Sequence, residues 1–260
     1  MVDTGRDPLD FTGRMVVVTG GTRGVGRGIA QAFLAAGAEV VVCARHAPDE
    51  LPNSQGRTAT FVAADVRRAD DAHGVVTAAT ERHGRLDVLV NNAGGSPEVP
   101  AADASPNFVT SVVALNLLAP FFCAQAANAA MQEQDGGGSI VNIASVSGLR
   151  PSPGTAAYGA AKAGLINLTR TLAVEWAPAV RVNCVVAGLV ATEASVDHYG
   201  GDEGMAVVAR TVPMGRMGTP EDVASVCLFL CSPLAAYVSG AAVEVHGGGE
   251  RPAYRGALEG

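Results

Sequence analysis

The sequence predicts a doubly wound α/β fold: a seven-stranded parallel sheet flanked by helices on both faces, with all 260 residues in a single domain. Three observations carry this. Short β-branched runs alternate with longer Ala-rich stretches along the whole chain. Most of the short runs are apolar at every position (Val16-Val17-Val18, Val40-Val41-Val42, Val88-Leu89-Val90). Such runs suit strands covered on both faces, as in a parallel sheet. A glycine-rich turn follows directly on the first run.

Strands are expected at 15–19, 39–43, 58–62, 86–91, 139–144, 181–185 and 242–246, and helices at 24–36, 69–82, 107–133, 155–176 and 221–231. Gly37 caps the end of the first helix, and Pro178 stops the one that runs through Trp176. Pro220 takes a first helical position behind Thr219, whose hydroxyl suits an N-cap. Residues 1–12 read as an N-terminal arm and 250–260 as a tail. Residues 189–213 lack periodicity and are expected to be an irregular, mobile substrate loop with a short helix.

Composition narrows the function. Hydrophobic residues make up 48% and aromatics only 5%, an aliphatic interior. Lys and Arg number 18 against 25 Asp and Glu, a net charge of −7 with no basic stretch, which argues against a nucleic-acid partner. Five scattered cysteines suit a reducing compartment. Cys227 and Cys231 have no further ligand cluster nearby, so no metal site is expected. The N-terminus has no apolar core of a signal peptide, and the expected location is cytoplasmic. Residues 107–134 carry one charge, Glu133, but Asn107, Asn116, Pro120, Gln125 and Asn128 are costly in lipid, so no membrane span is expected.

The turn Thr19-Gly20-Gly21-Thr22-Arg23-Gly24-Val25-Gly26 lets backbone N–H groups approach a pyrophosphate at the positive end of the following helix. Glycines also serve plain strand-to-helix turns, so its place after the first strand matters. A cofactor with a free ribose 2′-hydroxyl calls for an acid at the end of the second strand. Here stands Cys43-Ala44-Arg45-His46. Arg45 and Arg23 can instead clamp a 2′-phosphate, which carries roughly two negative charges. NADP(H) is therefore expected in preference to NAD(H).

Tyr158 and Lys162 lie four residues apart in an Ala-rich helix and share a face. A tyrosine is a poor base at neutral pH; lowering its pKa by about three units takes roughly 4 kcal/mol. An ammonium and a cationic nicotinamide close by can supply this. Ser145 follows the strand at 139–144, at the carboxyl edge where open α/β sheets bind ligands. Each of these residues has an ordinary structural role available to it; the combination points to proton transfer at a substrate oxygen.

These motifs resemble the short-chain dehydrogenase/reductase superfamily from Gly13 to Gly248. The matches are the turn at 19–26, Asp65-Val66, Asn91-Asn92-Ala93-Gly94, Asn116, Ser145 and Tyr158-x-x-x-Lys162, in the family's order. The resemblance implies a Rossmann fold with Tyr158 as acid/base and Lys162 as its electrostatic partner and nicotinamide-ribose ligand. It implies Ser145 as substrate holder, and Asn116, at a helix kink, as holder of a proton-relay water. It assigns the cofactor to Gly20, Thr22, Arg23, Val25, Arg45, Asp65, Val66, Asn92, Ala93, Gly94, Tyr158, Lys162, Gly188, Val190 and Thr192. It also implies a homo-oligomer, dimer or tetramer, paired through the helices at 107–133 and 155–176.

Two departures from the family pattern stand out. Ala187 replaces a proline before Gly188, which is expected to loosen the loop beyond it. His246 stands where an Asp is common and reads as a structural histidine; His73, His83 and His198 have no partner cluster and read as surface residues. Val146, Ser147, Arg150, Ala194, Val196, Tyr199, Met205, Val207, Val208 and Met214 are expected around the substrate, favouring a lipophilic ketone or secondary alcohol, such as a 3-oxoacyl thioester or steroid-like ring ketone. The alternatives are an NAD-linked secondary-alcohol dehydrogenase and a catalytically idle dinucleotide-sensing or scaffold protein.

Overall fold

All five residues of β1 (Met15–Thr19) are buried, as a run with no polar face requires. The structure, a computed structural model, describes residues 7–252. After β1 come α1 (Gly24–Ala35), β2 (Glu39–Ala44), β3 (Thr60–Ala63), α2 (Ala69–His83) and β4 (Val88–Asn91). Then follow α3 (Pro106–Val113), α4 (Ala119–Gln132), β5 (Gly138–Ser145), α5 (Ala156–Glu175) and β6 (Val180–Ala187). The chain continues through α6 (Glu193–His198), α7 (Gly201–Thr211), α8 (Pro220–Cys231) and β7 (Ala242–Val245).

The strands pair in the order β3-β2-β1-β4-β5-β6-β7, and every neighbouring pair is parallel. The order reverses between β1 and β4, so ligands are expected outside the carboxyl ends there. One face of the sheet packs against α1 and α8 through Ile29, Phe33, Val223 and Cys227. The other packs against α2, α4 and α5 through Val75, Ala79, Cys123, Met131 and Leu172. A short antiparallel hairpin, Asn53–Ser54 with Arg57–Thr58, lies where the third strand was expected to begin, and the strand itself starts at Thr60.

Residues 107–133 are not one regular helix. Between α3 and α4 the chain makes a π turn, Ala114–Leu118. The Asn116 side-chain amide donates to the Val112 carbonyl at 2.9 Å, competing for an acceptor of the helical ladder. Pro120 has no N–H to offer the turn before it. By length and composition, Pro106–Gln132 is apolar enough to cross a membrane. Its Val112, Asn116, Cys123, Ala127 and Met131 are buried in the fold.

Residues 189–213, expected to be irregular, form α6 and α7. A capping box between Thr192 and Ser195 starts α6, and Gly200, at φ +79°, makes the left-handed step into α7. The short length of α6 explains why periodicity missed it. The arm at 1–12 and the tail at 250–260 lie partly outside the described residues.

At the amino end of the sheet Asp87 is 5% exposed. It accepts from Arg14 (2.7 Å), the Met15 N–H (2.9 Å) and Arg85 (2.8 and 2.6 Å). Burial works against its ionisation, but these donors outweigh it and hold the carboxyl below its usual pKa. A folded-state pKa below the unfolded value gives stability that is present above about pH 4 and is lost as acid titrates the folded carboxyl. Asp87→Ala strands a buried N–H and is expected to cost about 2 kcal/mol, read as a lower urea midpoint.

Candidate active site

The phosphate-binding turn is built by close approach. Thr19, at the end of β1, accepts the N–H groups of Asn92 and Ala93 on its hydroxyl, both at 3.0 Å. Asn92 returns its side-chain amide to the carbonyls of Thr19 and Gly20. A Cβ on Gly26 would fall 2.3 Å from that amide, and one on Gly20, at φ +62°, 3.0 Å from the Ala93 Cα. Only glycine lets the two loops touch. Helix α1 starts behind Arg23 with no side chain capping its first N–H groups. Those donors and the helix dipole fit a pyrophosphate, with Thr22 and Val25 in the same turn.

At the adenosine end, Arg23 and Arg45 are both exposed. Arg45 lies close enough to Asp65 to help lower its pKa. The Asp65 carboxylate is taken up chiefly by Arg67, whose Nε donates to it at 2.8 Å. Val66 is buried in the core. Arg67 was not singled out from sequence, since an Asp-x-Arg step carries no motif.

The residues expected to be catalytic meet at the carboxyl edge of the sheet. Ser145 closes β5, and its hydroxyl accepts from the Ser147 N–H at 3.2 Å. Tyr158, on the first turn of α5, shares a hydrogen bond with Ser145. Lys162, one turn on, is buried; its Nζ lies 5.6 Å from the Tyr158 ring centre and donates to the Ile143 carbonyl at 2.8 Å. Gly94 closes the group: a Cβ there would sit 2.8 Å from Asn116 Oδ1 and 3.1 Å from Lys162 Nζ. Asn116 is fully buried and clamps Gly95, accepting from its N–H and donating to its carbonyl, both at 2.9 Å.

The electrostatics differ from the expected ones. Burial raises the Tyr158 phenol above its usual value, partly offset by the Ser145 hydrogen bond. Burial also brings the Lys162 amine down to about 8. In the protein alone, desolvation outweighs the Ser145 hydrogen bond at the phenol and the Cys184 thiol at the amine, so Lys162 by itself does not make the tyrosine a base.

The loop after β6 is firmer than Ala187 suggested. Gly188 donates to the Val245 carbonyl, Ala191 to Gly218, and Gly218 back to Leu189, at 2.8–2.9 Å. Val190 forms a parallel bridge with Gly218, a residue the sequence reading passed over. Thr192 faces Gly24 across the cleft, 3.5 Å from where a Cβ on that glycine would stand. His198 is exposed, 4.0 Å from Glu98 and edge-on to Tyr199 at 4.6 Å.

Val146 and Arg150 line a cleft of about 360 Å³ together with Leu149, Gly188 and Leu189. Its far wall comes from the chain after β7. Val196, Val207 and Met214, expected in the lining, are exposed on and beyond the α6–α7 segment.

A glycine turn that fits a dinucleotide, beside a Ser–Tyr–Lys group at the same sheet edge, defines an oxidoreductase that pairs hydride transfer at a nicotinamide with proton transfer at a substrate oxygen. A family profile described as Enoyl-(Acyl carrier protein) reductase matches residues 20–250. The chain is 34% identical over 247 residues to the 3-oxoacyl-[acyl-carrier-protein] reductase of Chlamydia pneumoniae, covering 92% of this chain and 98% of that one. It is 35% identical over 246 residues to the L-rhamnose 1-dehydrogenase (NAD(P)(+)) of Azotobacter vinelandii, covering 90% and 96%. The solved ligand-free aldohexose dehydrogenase of Thermoplasma acidophilum superposes with a TM-score of 0.85 at 28% identity, over 92% of this chain and 95% of that one. The chain belongs to the short-chain dehydrogenase/reductase superfamily, as NAD(P)-dependent oxidoreductases of alcohols and ketones.

Proposed function

We propose that the protein moves hydride between NADP(H) and a ketone or secondary alcohol with an apolar body, of the size of a 3-oxoacyl thioester or a steroid-like ring ketone. The observation that carries this is the Ser145–Tyr158–Lys162 cluster, held at the switch point of the sheet beside the glycine turn. Bound nicotinamide supplies or accepts the hydride. Ser145 holds the substrate oxygen, and Tyr158 gives or takes its proton at Oη. Lys162, charged below about pH 8, stabilises the phenolate; the family resemblance assigns the relay water that reprotonates it to Asn116, whose side chain is itself bonded to Gly95 and Val112. Val146, Leu149 and Leu189 supply the apolar contact for the substrate body.

Arg23 and Arg45 support the choice of NADP(H), since both are exposed at the end of the cleft that would receive a 2′-phosphate. In steady-state kinetics with a common ketone, kcat/KM is expected to favour NADPH over NADH by at least about 10-fold, the worth of one charge-assisted contact. Equal or better use of NADH would support the second reading, an NAD-linked alcohol oxidiser; the similar rhamnose dehydrogenase is named as an alcohol oxidiser with either cofactor. All five cysteines are free thiols, which suits a cytoplasmic enzyme. Leu118 and Val174, 40% and 81% exposed on the α3–α4 helix and on α5, suit burial against a second copy of the chain.

A further inference from the structure

The cleft beyond Ser145 changes character along its length. Near the reacting edge it is apolar, with Val146, Leu149 and Leu189. Its far wall carries Glu244 and His246, whose Oε2 and Nε2 lie 2.5 Å apart. The two residues stand two apart at the end of β7, so they project to one side. Neither takes part in hydride or proton transfer, yet both line the cleft, and each keeps bonding capacity: the second carboxylate oxygen and the other ring nitrogen. Arg150, which also lines the cleft, pairs with Glu250, and Arg251 lines it beside them.

The sheet fixes the backbone separation between Ser145 and the strand end that carries this pair. Ser145 is in register with Ala187, and Ala187 with Val245, the residue before His246. Two inter-strand spacings separate them, about 10 Å. We propose that the Glu244–His246 pair recognises a hydroxyl group carried by the substrate about 10 Å from its reacting carbonyl. The preferred substrate is then an amphiphile: a ketone at one end, an apolar middle, and a hydroxyl at the other. This rests on the reading of the cleft as the seat of an apolar ketone, and it adds what lies at the far end.

The test compares two ketones of one shape, 4-phenylcyclohexanone and 4-(4-hydroxyphenyl)cyclohexanone, with NADPH. The unmodified enzyme is expected to favour the phenol in kcat/KM by about 10-fold or more, through KM rather than kcat. In Glu244→Gln and His246→Ala the preference is expected to fall to near unity. A preference near unity in the unmodified enzyme, or one that survives in both variants, would overturn the assignment while leaving the ketone-reductase reading intact. If neither ketone is reduced, the apolar-ketone reading fails and the assignment fails with it.

Discussion

Tyr158→Phe is expected to lower kcat for ketone reduction by about 10³-fold, the usual worth of a positioned general acid, with NADPH binding retained. The substitution removes one oxygen and leaves the ring packed at the start of α5. The phenol lies beside Ser145, whose hydrogen bond lowers its pKa, so without it the substrate oxygen loses its proton source. Lys162 does not replace it, because its Nζ lies 5.6 Å from the ring centre and donates to the Ile143 carbonyl. Single-turnover kinetics and fluorescence titration with NADPH separate the two effects. Loss of cofactor binding along with turnover would mean that Tyr158 acts by holding the cofactor and not as the acid.

Lys162→Met is expected to lower kcat by about 10²-fold, toward the smaller end of what acid–base machinery contributes, without lowering the melting temperature. The reason lies in the sign of the shift. Burial brings the amine to about 8, below the usual lysine value. The unfolded chain therefore binds that proton more tightly than the folded one. The stability tied to this group is present above the unfolded pKa, near 10.4, and is lost as pH falls toward 8. At neutral pH the fold carries a buried charge for the sake of chemistry, and an apolar side chain of similar length relieves it. The same titration shapes turnover: kcat/KM for reduction is expected to be level below about pH 8 and to decline above it as the ammonium is lost. In Lys162→Met that limb should vanish. A variant that melts far lower, or keeps the alkaline limb, would contradict this account of the lysine.

Much of the architecture was legible because strands buried on both faces announce themselves as unbroken apolar runs: Val16-Val17-Val18 and Val40-Val41-Val42 stand side by side in the sheet, in the register Val16 with Val40. The glycine turn was legible for a related reason, since close approach excludes side chains and leaves a written trace at Gly20 and Gly26. What escaped depends on partners distant in sequence. Gly218 pins the loop after β6 from thirty residues away, and no local pattern signals that. The break in residues 107–133 comes from an asparagine competing for backbone, and from a proline whose effect depends on its depth in the helix. The phenol and amine were placed correctly relative to each other by their spacing, but their burial was not visible. With it went the sign of the Tyr158 shift, since desolvation is a property of the packed fold and not of the motif. Likewise His246 could be named from its position, but its bond to Glu244 and its place on the cleft wall needed the fold.

The most direct test follows the hydride and the proton together. With 4-phenylcyclohexanone and NADPH deuterated at the transferable position, the unmodified enzyme should give an alcohol carrying one deuterium on the carbinol carbon, and Tyr158→Phe should give almost none. An alcohol without deuterium, or labelled alcohol formed equally fast by the phenylalanine variant, would contradict the assignment of this site.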